Sequence, residues 1–169
     1  MKKVILFLLM VGTFTLNAQQ AKESKTTIET VLDDWHKAAA ASNFETYFGL
    51  MTKDAIFIGT DPTENWDVAA FKVFAKPYFD KGKAWDFKPV ERHVFLSPKG
   101  DVAWFDELLD TWMKLCRGSG VMVKQPDGKW KIAHYILSMT IPNDNTNEVI
   151  KVTSILQDAH LKKITVGKK

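Results

Sequence analysis

Asp106 and Arg117 stand inside "VAWFDELLDTWMKLCRGSGV", residues 102–121, where alternation otherwise predicts two apolar strands around a turn. A buried charge is costly unless paired, and a ligand pocket is one of the few places that uses one. There a carboxylate moves protons, and a guanidinium holds a polar or anionic group. A two-residue loop at Thr111–Trp112 pairs Asp106 with Arg117, Trp104 with Ser119 and Leu108 with Leu115, and opposed residues share a sheet face. A salt bridge on a solvated face explains the pair equally well, at about 0.2–1 kcal/mol. The segment "GSG" is a candidate bulge that would move this register.

A second candidate is His134 in "WKIAHYILS", because imidazole titrates near neutral pH and carries protons. Strict alternation puts Trp130, Ile132, His134, Ile136 and Ser138 on one side, and Ala133, Tyr135 and Leu137 on the other. Both sides are apolar, so both are expected to be covered, and a neutral core histidine is the plainer reading of His134. The third candidate is Asp61 in "FIGTDPTENW", where Asp61, Glu64 and Trp66 directly follow a buried strand and a loop can bring carboxylates to a cavity mouth. Alternatively, Asp61 and Pro62 simply form a turn. His36, His93, His134 and His160 are scattered, without HExxH or paired cysteines, and neither a Gly-rich phosphate loop nor GxSxG occurs. No metal and no cofactor is therefore expected. Cys116 is the only cysteine, which excludes an intramolecular disulfide and reads as a small buried apolar side chain.

The elements that must position these residues follow from periodicity. In "TTIETVLDDWHKAAAA", residues 26–41, Ile28, Val31, Leu32, Trp35 and Ala39 recur at helical spacing, with Thr26 or Thr27 as the expected cap. "NFETYFGLM" predicts a short helix capped by Asn43, "DAIFIG" a strand, and "DVAAFKVFAKPYF" a helix from Asp67 disturbed by Pro77. Four strands follow in "AWDFKPVERHVFLS", "VAWFDELL", "KLCRGSGVMVKQ" and "KWKIAHYILSMTI". The turn "PDG" before the last of them calls for positive φ at Gly128. Residues 145–161 predict a closing helix. Helices first and an antiparallel meander afterwards make an α+β domain.

The first 18 residues stand apart. Lys2 and Lys3, an apolar run over Val4–Leu16 and the small Ala18 have the layout of a signal peptide. The run is shorter than the roughly 20 residues of a membrane span, so export to the periplasm or beyond is expected, without a permanent membrane anchor. Of 23 Lys and Arg, two belong to this leader, and the remainder nearly balances 20 Asp and Glu. A nucleic-acid partner is therefore not suggested.

In their order and spacing, "FIGTDPTENW", "VAWFDE", "RGSGVMVK" and "DGKWKIAHYILSMTIPND" resemble the SnoaL-like branch of the nuclear transport factor 2-like, or ketosteroid isomerase-like, superfamily. The match covers residues 26–144, with 145–169 as a C-terminal helix and tail. The resemblance implies a cone-shaped α+β fold, N-terminal helices packed on a curved antiparallel sheet, a hydrophobic pocket between them, and homodimers through the outer sheet face. It does not fix a reaction. An isomerase site of this kind needs a carboxylate base and an oxyanion hole of a tyrosine and a protonated acid. Asp106 lies in a strand that supplies such an acid, while Gly59 stands where an early carboxylate is expected and Asp61 follows two residues later. The leading expectation is an exported homodimer binding a small, largely apolar ligand carrying a polar or anionic group. Trp35, Phe57, Trp104 and Tyr135 would form the walls and Arg117 would hold the polar end. The alternatives are an isomerase, dehydratase or cyclase using Asp106, His134 or Asp61, and a dimeric adaptor without a ligand.

Overall fold

A computed structural model describes residues 2–166, and the side chains of residues 19–166. Among the described residues the order is α1 (Lys2–Ala40), α2 (Phe44–Gly49), β1 (Met51–Ile58), β2 (Asn65–Asp67), α3 (Val68–Asp80), β3 (Lys88–Leu96), β4 (Val102–Thr111), β5 (Lys114–Lys124), β6 (Trp130–Met139) and α4 (Thr146–Val166). The expected α+β class holds: helices come first, then a curved open sheet in the order β2-β1-β6-β5-β4-β3. One pair departs from the expected antiparallel meander, since β1 joins β6 in parallel.

Local chemistry explains most element ends. The Asn43 side chain accepts the Thr46 N–H at 3.0 Å to start α2, and that of Asp67 accepts Ala70 N–H at 2.8 Å to start α3. Helix α1 does not begin at Thr26. Thr26 and Thr27 lie within it, and their hydroxyls bond back to the carbonyls of Lys22 and Glu23 instead of capping, a bond that threonine makes readily inside a helix. Ile28, Leu32, Trp35 and Ala39 are buried as their spacing predicts. They pack with α2, α3 and one sheet face into a single core. Cys116 is free and buried, and Gly128 has φ +84°.

The β4–β5 hairpin turns one residue later than expected. Thr111 pairs with Lys114, so the loop is Trp112–Met113, and the Thr111 hydroxyl fixes it by donating to the Lys114 carbonyl at 2.8 Å and accepting Met113 N–H at 3.0 Å. The register moves accordingly. Asp106 opposes Ser119, Trp104 opposes Val121, and Arg117 opposes Leu108. The irregularity falls not at Gly118–Gly120 but at Ala133, between the partners of Val121 and Met122. That bulge shifts the phase of β6, so that Trp130 and Ile132 share the buried face with Tyr135 and Leu137 while His134 turns the other way.

Rows of paired residues then define the two faces. The inner face carries Val94, Phe105, Gly120, Tyr135, Phe57 and Trp66 in one row, and Arg92, Glu107, Gly118 and Leu137 in the next. On the outer face one row holds Phe95, Trp104, Val121, His134 and Ile56, and its neighbour holds His93, Asp106, Ser119, Ile136 and Ile58. The segment from Thr140 onward is a separate unit, in which α4 exposes Val152, Ile155 and Leu156. Among the described residues no helix is long and apolar enough to cross a membrane.

Candidate functional site

A cavity of about 630 Å³ opens among α3, the β1–β2 loop, the segment at residues 83–87 and the β4–β5 turn, a size that suits a small organic ligand. Aromatic rings dominate its wall. Phe57 and Phe71 stack at 4.0 Å between centroids and 16° between planes, and Trp66 lies at 14° to Phe71 and 4.5 Å from Phe74. The ladder continues through Phe71 to Trp85, at 21°. These contacts follow from the sheet register, because Phe57 opposes Trp66 across β1 and β2 while Phe71 and Phe74 come from successive turns of α3. Trp112, 80% exposed at the hairpin tip, adds a ring at the mouth.

Three charged side chains border the cavity: Glu64, Lys83 and Asp86. Lys83 and Asp86 are exposed, whereas Glu64 is partly buried. The carboxylate of Glu64 folds back over Gly59, where a Cβ would come within 2.1 Å of its Oε2. Oε2 accepts the Asp61 N–H at 3.1 Å. Gly59 therefore creates the space that seats Glu64.

A buried polar network lies behind this wall. Glu107, 1% exposed, accepts the Tyr135 O–H at 3.0 Å and the His36 Nε2–H at 2.7 Å on Oε1, and the Arg92 Nε–H at 2.8 Å on Oε2. Arg92 Nη1 also donates to Asp33 Oδ1 at 2.7 Å and to the Glu29 carbonyl at 3.2 Å. Burial works to raise the Glu107 pKa, but the hydrogen bond and charge of His36, joined by Arg92, outweigh it and hold the carboxyl below the ordinary glutamate value. Burial, with the adjacent Glu107 charge, pushes the Tyr135 hydroxyl well above the usual tyrosine range. Glu107, His36, Arg92 and Tyr135 do not line the large cavity. Asp33 and His36 border a separate cleft of about 330 Å³.

Of the residues assigned to the site from sequence, Phe57 lines the large cavity, and of the two loop carboxylates considered, Asp61 and Glu64, it is Glu64 that borders it. Tyr135 stacks behind it at 5.6 Å and Trp35 meets Tyr135 edge-on at 4.7 Å, so both are buried core rings. Asp106, Arg117, Trp104 and His134 belong to the outer face, which corrects their expected place in a pocket wall. There Asp106 meets His93 at 3.1 Å, and Trp104 stacks on Phe95. Asp61 forms the alternative turn, its Oδ1 accepting the Thr63 N–H at 2.8 Å. Sequence reasoning passed over Glu107, Arg92 and the pairing of His36 with them. Two of the missed groups carried a readable signal: His36 follows Leu32 by one helical turn, and Glu107 alternates with the apolar Phe105 and Leu109.

The fold is shared with proteins of the nuclear transport factor 2-like class. An NTF2-like protein of unknown function from Pseudomonas putida KT2440 aligns with a TM-score of 0.61 at 14% identity, covering 73% of this chain and 92% of that one. A candidate ketosteroid isomerase from Shewanella frigidimarina aligns at 0.53 and 16% identity, covering 66% and 94%. The association domain of CaMKII from C. elegans aligns at 0.57 and 20% identity, covering 70% and 97%. Residues 28–142 match the SnoaL-like domain, and the chain belongs to that family. No curated protein matches it.

Proposed function

We propose that the chain is an exported, homodimeric SnoaL-like protein that binds a small, largely apolar ligand in the cavity walled by Phe57, Trp66, Phe71 and Trp85. The aromatic cavity carries this reading: a void of about 630 Å³ bordered by ring faces is the kind of surface that apolar ligands fill. Export rests on the leader-like residues 1–18, and dimerisation on the outer sheet face, where Phe95 and Trp104 expose 43% and 48% of their surface. A second reading, proton transfer in an isomerase, dehydratase or cyclase, is favoured by one observation. Glu64 brings a carboxylate to the apolar wall directly over Gly59, and a carboxylate beside a bound substrate is a ready base.

Native mass spectrometry of the protein purified from its own host's cell envelope tests the reading. The expected species is a dimer of chains lacking residues 1–18 and carrying a reproducible extra mass. Thr60→Trp, at an exposed position on the cavity border, should fill the site and release that mass without unfolding the chain. If the extra mass persists in Thr60→Trp, the ligand sits elsewhere. Turnover of the recovered compound that Glu64→Gln abolishes would select the enzyme.

A further inference from the structure

We infer that the ligand of this cavity is an organic cation, an alkyl- or arylammonium group carried on an apolar body. The inference rests on the cavity being a ligand site and names the chemistry it selects. Two independent features of the wall point the same way. The first is the density of ring faces. Trp66, Phe74, Tyr78, Trp85 and Trp112 all border the void. Phe74, Tyr78 and Trp112 keep 38%, 46% and 80% of their surface accessible. The electron-rich faces of such rings attract a cation placed over them and repel an anion.

The second feature is the placement of charge. Glu64 is the one ionisable group of the border that is partly buried, and among the described residues no Lys, Arg or His lies within ion-pair distance of it. Its Oε2 takes the Asp61 N–H, an internal bond of the loop. Glu64 itself lines the cavity. Asp86 adds a second carboxylate, four ångströms from Lys88, and Lys83 adds one exposed ammonium. The lining itself thus holds two carboxylates and one ammonium, with Lys88 beside Asp86 just outside it. An anionic ligand would meet ring faces and the Glu64 carboxylate, with a single solvated lysine to offset them. Arg117, which sequence reasoning assigned to the polar or anionic end of the ligand, faces away on the other side of the sheet.

The geometry of Glu64 suits this role and makes it separable from folding. Gly59 leaves the space in which the carboxylate sits, because a Cβ there would lie 2.1 Å from Oε2. Glutamine retains an oxygen that accepts the Asp61 N–H, so Glu64→Gln removes the charge and keeps the loop bond.

Isothermal titration at neutral pH with three probes of similar size tests the inference on the full-length protein: benzyltrimethylammonium, its uncharged carbon counterpart neopentylbenzene, and benzenesulfonate. The expected order is cation, then neutral compound, then anion, with the cation bound about tenfold more tightly than its neutral counterpart. Glu64→Gln should cut that preference to about twofold while leaving neopentylbenzene affinity unchanged, and Phe74→Leu should weaken the cation more than the neutral probe. Equal or tighter binding of the neutral probe, or a preference for the sulfonate, overturns the cation assignment and leaves the ligand cavity standing. Binding of none of the three overturns both.

Discussion

The carboxylate of Glu107 has every oxygen engaged, by Tyr135, His36 and Arg92. Such a network is worth most when complete, and removal of one charged partner leaves the others buried and uncompensated. Glu107→Gln is expected to cost about 3–5 kcal/mol in urea unfolding at neutral pH. The pH dependence has a defined sign. The native pKa of Glu107 lies below the ordinary value of 4.5, so the folded state binds this proton less readily than the unfolded chain. Its contribution is fully present above the unfolded value and is lost as pH falls through the lower, native one. Urea midpoints should therefore decline in that acid range for the wild type, and decline less for Glu107→Gln. None of this was read from the sequence, although Glu107 adjoins the Asp106 that was singled out. Charge at an alternating position attracts attention whichever face it occupies, and a loop placed one residue too early changed only the partner of Asp106, since Trp104, Asp106, Arg117 and Ser119 share one face in either register. A single threonine hydroxyl decides that loop.

The glycines of β5 show how an element makes room for its neighbours. Gly118 and Gly120 both face inward, between Glu107 and Leu137 in one row and between Phe105 and Tyr135 in the next. The Tyr135 hydroxyl lies 2.1 Å from where a Gly118 Cβ would stand, so the missing side chain is what lets this phenol reach Glu107. At Gly120 the obstacle is backbone: a Cβ would meet the His134 carbonyl at 2.3 Å and the Phe105 ring at 2.9 Å. Overpacking of this kind costs about 1–3 kcal/mol or more. Gly120→Ala should destabilise more than Gly118→Ala, because a sheet carbonyl has no rotamer in which to escape, and paired urea titrations will rank them. Helix and strand identities were legible because they depend on local period and caps such as Asn43 and Asp67. The phase of β6 was not, since the bulge at Ala133 arises from pairing with β5 and leaves no mark in the composition of β6. The short β2 was likewise invisible, as Trp66 becomes strand only by pairing with Phe57.

At the scale of the molecule, the sheet hides one aromatic face and shows another. The outer row from Phe95 through Trp104 to His134 and Ile56 is apolar enough to meet a second copy of the chain, and Trp104→Glu should convert the proposed dimer to a monomer in sedimentation velocity while leaving cavity binding intact. An unchanged sedimentation coefficient would place the contact elsewhere. The fold class was readable from element order, whereas the cavity was not, because its wall gathers side chains from five separate segments that no spacing rule connects. The parallel union of β1 with β6 carries a further consequence, for the time course of folding. Ile56 finds its partner at His134, about eighty residues further along the chain, whereas β3, β4, β5 and β6 pair with sequence neighbours. Closing so long a loop is entropically slow. The β3–β6 meander can zip first, and β1, β2 and the aromatic cavity they help to wall come together only after the last strand has left the ribosome.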